Sequence, residues 1–179
     1  MTGQYREMKI ILKPISYVDK GLVEELKQKL EQTFGCPVET VIKTFDPEKA
    51  YDKRRKQYLG TRFLSQLKKD KVKGDKVLGI ADVDLYSPGL NFIFGQADIA
   101  SGTSVISLTR LRQLYYDLPA DEDLFRDRAV KEAVHELRHT FGLDHCPDPK
   151  CVMHFSNSLS DTDLKQATFC GRCRPKLIK

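Results

Sequence analysis

The run from residue 135 to residue 145 constrains this chain more than any other feature, because it reads HELRHTFGLDH, or HExxHxxGxxH. His135 and His139 are four residues apart, so on a helix both imidazoles leave the same face and can share one metal ion. Gly142 predicts the end of that helix, since a residue without a side chain can turn the chain back. His145 can then return as a third ligand. The run therefore predicts a helix that ends in a sharp turn over a metal site.

Glu136 gives the same run a candidate catalytic group. It lies about 100° round the helix from His135, too far to be the natural third ligand but close enough to take a proton from a water molecule at the metal. Three imidazoles leave the fourth position of a tetrahedral zinc ion open for that water, as in catalytic sites. The alternative is that these histidines are ordinary surface residues. Three of the chain's four histidines fall in this run, with His154 as the other, which favours the metal site.

The helix that carries the motif is predicted to bury one face. Pro119 and Asp121 indicate where it begins. On the ligand side it carries Arg128, Glu132 and Glu136. We expect the opposite side to lie on a core and the ligand side to face a polar cleft. The apolar stripe consists of Ala129, Val130, Ala133, Val134, Leu137 and Phe141.

The cysteines form a second group of candidate ligands. Cys146 and Cys151 follow the histidine motif, and Cys170 and Cys173 form a CxxC pair. Two such pairs are a standard tetrathiolate zinc arrangement, which has no open position and is structural. Two disulfides and four unconnected thiols are the alternatives. The start of the sequence has no apolar signal segment, so we expect a cytoplasmic protein, in a compartment where disulfides are rare.

Together these features resemble the archaemetzincin family of zinc metallopeptidases. The resemblance rests on HExxHxxGxxH, the cysteine directly after it, Cys151-Val152-Met153 and the terminal CxxC pair. It implies two zinc ions per chain. A catalytic zinc would be bound by His135, His139 and His145, with Glu136 as the base, and a structural zinc by the four cysteines. The methionine at position 153 would form the turn beneath the catalytic metal, and it can equally be described as a core residue.

The expected fold class is α+β and metzincin-like, or zincin-like. It should contain a mixed, mostly parallel twisted sheet with helices, and a loop-rich C-terminal subdomain stapled by zinc. At 179 residues the chain is most simply one domain. We divide it into residues 1–142, which include the active-site helix, and residues 143–179, which hold the four-cysteine zinc site. The second part has few apolar residues, so we expect its zinc to hold it together.

The elements before the motif are predicted in the order βαβαβ, which favours a partly parallel sheet. Two later strands lie close enough together for a hairpin, which makes the sheet mixed. The predicted strands are 9–13 (ended by Pro14), 38–44, 76–81, 91–97 and 104–108, and the earlier predicted helices are 19–34 (capped by Asp19) and a basic one at 53–69.

Composition limits the partners. No apolar run approaches the roughly 18 residues of a membrane span. The formal net charge is only +5. Basic clusters at residues 53–56, 68–73 and 172–176 are expected to be solvated surface, so nucleic acid is not an expected partner. We expect a monomer that acts on a peptide or protein. Cys36 is expected to be a buried or half-buried thiol outside both ligand groups, and His154 to be exposed, with polarisation of a substrate carbonyl as the alternative.

The expected function is hydrolysis of peptide bonds by a zinc-activated water, with Glu136 as the general base. The resemblance adds aminopeptidase activity as one form of that function. One alternative is a non-catalytic module that uses both zinc ions structurally and binds nucleic acid or a protein. Another is a pseudo-peptidase of the same fold. The binding module accounts for the basic clusters but not for a glutamate beside three histidines with an open position.

Overall fold

The structure is a computed structural model that describes residues 8–15, 17–42, 45–69 and 71–177. Within these ranges the chain alternates strands and helices before it enters a C-terminal segment with little regular structure. The elements are β1 (Ile10–Ile15), α1 (Lys20–Phe34), β2 (Val38–Thr40), β3 (Tyr51–Asp52), β4 (Gln57–Leu59), α2 (Gly60–Lys69), β5 (Lys76–Ala81), β6 (Leu85–Tyr86), β7 (Gly95–Asp98), β8 (Thr103–Ser107), α3 (Glu122–His139) and α4 (Leu159–Leu164).

The main sheet has the strand order β2-β1-β5-β8-β7. The first four strands are parallel, and β7 pairs antiparallel with β8 at one edge. A small second sheet joins β3, β4 and β6, and Ile93 extends it through a bridge to Leu85. The predicted mixed, mostly parallel sheet with flanking helices is confirmed.

The core has two layers because strand residues alternate between the faces of the sheet. In β8, Ile106 faces the larger layer, which α1 and α3 cover, whereas Val105 faces the smaller layer, which α2 covers. The helix α1 has its predicted ends: Asp19 accepts a hydrogen bond from the Leu22 backbone N–H, and Gly35 has a φ of 64°. A left-handed residue is a common helix terminator. The motif helix thus rests on a fully covered sheet.

The predicted basic helix over 53–69 is wrong in its first half. Residues 51–59 form the β3–β4 hairpin instead, and α2 begins at Gly60. The Asp52 side chain accepts hydrogen bonds from the backbone N–H groups of Arg54 and Arg55, and Lys56 has a φ of 56°. An aspartate that bonds the backbone two or three residues ahead favours a turn over a helix.

Three strand boundaries also differ from those predicted. β1 continues through Pro14 to Ile15, since β2 pairs only with residues 10–12 and the missing N–H of proline breaks no ladder on that side. β2 ends at Thr40, and residues 43 and 44 of the predicted strand lie outside the described residues. The strand predicted at 91–97 is displaced to β7, because Ile93 pairs with Leu85.

The segment after α3 packs into the larger core layer. Val152 and Met153 are fully buried there, and Phe169 is 8% exposed. The ligand side of α3 is consequently more enclosed than predicted: Arg128 is 2% exposed and Glu132 is 3% exposed. The C-terminal segment, including α4, covers that side. No helix within the described ranges is long and apolar enough to span a membrane.

Candidate metal centres and cleft

The end of α3 brings three histidines together. His135 and His139 lie in its last turns, and the chain reverses at Gly142, whose φ is 82°. This reversal returns His145 to the helix. One ring nitrogen from each histidine lies within 4.8 Å of those of the other two. Three imidazoles in such a cluster are a set of donors that suits zinc.

Backbone carbonyls fix the orientation of two of these rings. Nδ1 of His135 donates to the Val152 carbonyl at 2.8 Å, and Nδ1 of His139 donates to the Leu143 carbonyl at 2.7 Å. A carbonyl can only accept, so each Nδ1 carries the proton of the neutral ring. The Nε2 atoms of His135 and His139 are then both acceptors, and they lie 3.1 Å apart. Two facing lone pairs need a cation between them, and Zn–N bonds of about 2.0–2.1 Å span such a gap.

Burial keeps these rings neutral. It lowers the pKa of His135 well below the usual range and also lowers the pKa values of His139 and His145. Nearby positive charge adds to this effect, including that of Lys165 for each ring. A neutral imidazole is the form that binds a metal. The ring environment therefore fits the metal that the motif predicts.

Glu136 lies beside this cluster and lines the same cleft. Its side chain packs so tightly against β7 that a Cβ atom on Gly95 would lie 2.5 Å from its Cγ. Only glycine fits there. Burial raises the pKa of Glu136 well above its usual range, and the charge of Glu132 raises it further, while Lys165 opposes both. Within the described residues its carboxylate has no hydrogen-bond partner in the protein, so both oxygens remain for a ligand.

Two ion pairs, one of them fully buried, join the ligand side of α3 to the C-terminal segment. Lys165, which is 0% exposed, places its Nζ 2.7 Å from Oε1 of Glu132. One helical turn earlier, Arg128 binds both carboxylate oxygens of Asp163 at 2.6 and 2.7 Å. Sequence reasoning did not identify Lys165, because a single lysine among polar residues carries no local signal. The spacing of Arg128 and Glu132 on one face of the motif helix was the available hint.

The four cysteines form the second cluster. Their Sγ atoms lie within 4.8 Å of one another, and those of Cys146 and Cys170 are 3.7 Å apart. Zn–S bonds of about 2.3 Å in a tetrahedron give Sγ–Sγ separations of about 3.8 Å. Backbone N–H groups of Cys173 and then Arg172 are the main cause that lowers the pKa of Cys170 to about 7, whereas burial raises the pKa of Cys151. The sulfur spacing fits one closed metal site and no disulfide.

The remaining candidate residues lie around these clusters. Met153 is fully buried, and its carbonyl accepts a hydrogen bond from the Cys146 backbone N–H at 2.8 Å. His154 is half-buried and its Nδ1 lies 3.0 Å from the Cys146 carbonyl, so it braces the loop and is not fully exposed as predicted. Cys36 is partly buried against the core and belongs to neither cluster.

A cleft with a cavity volume of about 320 Å³ opens over the histidines and Glu136. The edge strand β7 and the segment before it form one wall, where Phe92 and Phe94 lie. Residues 155–157 of the C-terminal segment also line the cleft. Among the described residues β7 pairs with β8 alone, so its other edge is available to an extended chain.

Comparison with known proteins agrees with this geometry. The profile of Peptidase family M54 matches residues 9–179. The chain is 46% identical to the archaemetzincin of Pyrococcus furiosus, over 94% of this chain and 91% of that protein. It is 41% identical to the archaemetzincin of Methanocaldococcus jannaschii, over 95% of this chain and 93% of that protein.

Solved structures give the same result. A zinc-dependent peptidase from Methanocorpusculum labreanum superposes with a TM-score of 0.85 at 31% identity, covering 94% of this chain and 99% of that one. The archaemetzincin of Methanopyrus kandleri superposes with a TM-score of 0.82 at 38% identity, covering 99% and 97%. The metal clusters and these similarities lead to one conclusion: the chain belongs to the archaemetzincins of Peptidase family M54 and is a zinc metallopeptidase.

Proposed function

We propose that this protein hydrolyses peptide bonds at a catalytic zinc ion held by His135, His139 and His145, with Glu136 as the general base. The observation that carries the proposal is the pair of facing Nε2 atoms, 3.1 Å apart, on rings whose Nδ1 atoms are committed to carbonyls. Such a pair needs a cation, and an unpartnered carboxylate lies beside it in the cleft. A purely structural site would have no use for that carboxylate.

The chain's own residues divide the work of the reaction. When bound, zinc supplies Lewis acidity that polarises a carbonyl and makes water more acidic. Glu136 takes a proton from the attacking water and delivers it to the nitrogen of the leaving amine. Burial of Glu136 keeps bulk water away from this transfer. The carbonyls of Val152 and Leu143 hold the two helix histidines in one tautomer throughout.

The substrate would lie in an extended conformation along β7. The free edge of this strand offers backbone N–H and C=O groups to a peptide, which would add to the sheet as a further strand. Gly95 lets Glu136 approach the strand closely. This places the base next to the backbone of a chain bound there.

The four cysteines would hold a second, structural zinc ion. All four Sγ atoms belong to one cluster with tetrahedral spacing, so no ligand position remains for water or substrate. This ion would tie Cys146, directly after the third histidine, to the CxxC pair at residues 170–173. Its role would be to fix the loop that follows the catalytic site.

The test is incubation of the metal-loaded protein with a mixed peptide library, with new termini identified by mass spectrometry. We expect cleavage by the protein that contains two zinc ions and none after a chelator has removed the metal, with recovery when zinc is added. Loss of single N-terminal residues would identify aminopeptidase activity, and internal cuts would identify endopeptidase activity. Two bound zinc ions without any cleavage would contradict the proposal and favour a pseudo-peptidase or a binding module.

A further inference from the structure

An exposed apolar patch lies on the segment between β8 and α3, and the proposed catalytic reaction does not use it. Four residues form what we term the apolar patch: Leu114, Tyr115, Tyr116 and Leu118, which are 59%, 41%, 37% and 51% exposed. Single exposed apolar residues are normal on soluble proteins, but contiguous ones mark sites of interaction. The Tyr115 and Tyr116 rings lie 5.1 Å apart, and the apolar patch is therefore a candidate interaction surface.

Backbone hydrogen bonds define the turn that carries the apolar patch. The N–H of Asp117 donates to the Leu114 carbonyl, and the N–H of Leu118 donates to the Gln113 carbonyl. Asp117 has a φ of 57°, a left-handed conformation that is uncommon for a residue with a side chain. A surface fixed in this way loses little conformational entropy when it binds a ligand.

Two arginine–aspartate pairs anchor the same segment to the end of β5. Arg110 binds both carboxylate oxygens of Asp84 at 2.6 and 2.8 Å. Arg112 lies 2.6 Å from the carboxylate of Asp82 and stacks over the Phe125 ring of α3. The apolar patch is thus held in a fixed position relative to both the sheet and the motif helix.

An aromatic path connects the apolar patch to the cleft. The Arg110 guanidinium lies 4.4 Å from the Phe92 ring and 4.6 Å from the Tyr115 ring. The Phe92 ring in turn packs edge-on against Phe94, at 5.1 Å between ring centroids. Both phenylalanines line the cleft. A chain that leaves the cleft over Phe92 therefore reaches the apolar patch across the Arg110 guanidinium, whose charge is paired with Asp84.

We propose that the apolar patch is an exosite for the polypeptide substrate. It would bind an apolar segment of the substrate that extends beyond the cleft. This inference rests on the proposed peptidase function. A cleft of about 320 Å³ is at the small end of ligand pockets, so it holds only a few residues and the rest of a longer substrate must pass over its rim. Two leucines and two tyrosines offer an apolar surface, which suits leucine- or phenylalanine-containing segments.

The test compares three kinds of peptide that share one cleavable core. The first is the core alone, the second carries a flexible Gly-Ser extension, and the third carries an apolar extension with leucine and phenylalanine, each extension being placed at either end. The patch variant is the double substitution Leu114→Ser and Leu118→Ser. The control is Ile42→Ser, which alters an 83% exposed residue beyond β2, the opposite edge strand.

We expect the parent to prefer an apolar extension, and the patch variant to lose about 10-fold in kcat/KM on that peptide, through KM. The patch variant should retain its rate on the core and on the Gly-Ser peptide, and Ile42→Ser should match the parent on all three. Equal rates of the patch variant and the parent on the apolar extension would overturn the exosite. So would a uniform loss on every peptide.

Failure of the proposed catalysis would be visible separately, because the parent would then cleave none of the peptides. Fluorescence anisotropy of the labelled apolar peptide would in that case test the exosite. The exosite predicts about 10-fold weaker binding of this peptide to the patch variant than to the parent.

Sedimentation tests the alternative that a second copy of the chain covers the apolar patch. A dimeric parent with a monomeric patch variant would assign the patch to self-association and overturn the exosite.

Discussion

Residues 8–139 and residues 140–177 are stabilised by different contacts. The first region buries aliphatic side chains on both faces of a five-stranded sheet. The second contains α4, short turns and the cysteine cluster. It contacts the first through the Lys165–Glu132 and Arg128–Asp163 ion pairs and through core residues such as Val152. The three clustered histidines lie at the junction, with His135 and His139 on the helix of the first region and His145 on the loop of the second.

This difference divides the site into two parts. One part is positioned by an apolar core, and the other depends on polar and sulfur contacts. The first region can position His135, His139 and Glu136 from an apolar core, which needs no metal. The second region positions His145 and the Val152 carbonyl through polar and sulfur contacts, which depend on charge state and on bound zinc. We therefore expect perturbations of the two regions to have separable effects on chemistry, metal binding and stability.

The largest effect is expected for Glu136→Ala, which removes the proposed general base from the first region and leaves the second region unchanged. If Glu136 is the base and not a ligand, kcat should fall by at least about 10²-fold while zinc stays at the histidine site, as measured by metal analysis beside the peptidase assay. His139→Ala serves as the contrast, since it should release that zinc. Loss of zinc in Glu136→Ala would show that this residue holds the metal.

A large effect on stability is expected at the junction between the regions. Lys165→Met should leave Glu132 as a buried charge without a partner, and removal of one member of a buried ion pair costs about 3–5 kcal/mol of unfolding free energy. The double variant Glu132→Met with Lys165→Met should recover most of that loss, because an apolar pair needs no desolvated charge. Urea unfolding of the zinc-loaded proteins measures both. If the double variant is no more stable to urea than Lys165→Met, the Glu132–Lys165 pair stabilises the protein by more than the neutralisation of two buried charges.

The sequence was sufficient for features encoded locally. The metal motif, the Asp19 cap, the Gly35 terminator and the CxxC pair each occupy a short stretch whose residue types determine its geometry. The β3–β4 hairpin was missed because its lysines and arginines suit a helix, and only the Asp52 side chain favours the turn. Propensity is a weak guide where one side-chain hydrogen bond decides between two structures.

Contacts between distant residues could not be predicted from the sequence alone. Glu132 was placed correctly on the ligand side of the motif helix, but its burial depends on Lys165, 33 positions later in the chain. The role of Gly95 depends likewise on how closely α3 approaches β7. The periodicity of the sequence predicts neither the Glu132–Lys165 contact nor the separation of α3 and β7. The enclosed shape of the cleft therefore required the structure, whereas the clustering of the three motif histidines did not.

A moderate effect is expected when the cysteine cluster is removed. Replacing Cys170 and Cys173 by serine should weaken zinc binding at the histidine site by roughly 10- to 100-fold. The reason is that Cys146 follows His145 directly, and the Val152 carbonyl that orients His135 lies between the cysteine pairs. Competition with a zinc-binding dye measures the affinity.

Amide exchange shows where this double variant loosens the chain. Residues 146–173 should exchange faster, whereas β1 and β5 should keep the protection of the parent. If the double variant binds zinc at the histidine site as tightly as the parent, the cysteine site stabilises only its own segment of the chain. Faster exchange throughout the sheet would instead mean that the two regions unfold as one unit.

The smallest effect is expected for Asp121→Ala, at the end of α3 remote from the metal. Asp121 caps this helix by accepting a hydrogen bond from the Leu124 backbone N–H at 2.9 Å, and loss of such a cap costs about 1 kcal/mol. Because α3 beyond its first turn is fixed by core packing and by the ion pairs of Arg128 and Glu132, the cost should appear in urea unfolding alone. Zinc affinity and kcat/KM should equal those of the parent. A drop in zinc affinity would show that a change at the N-terminus of α3 reaches the histidines at its C-terminus. The positions of His135 and His139 would then be as sensitive to changes in the first region as that of His145 is to changes in the second.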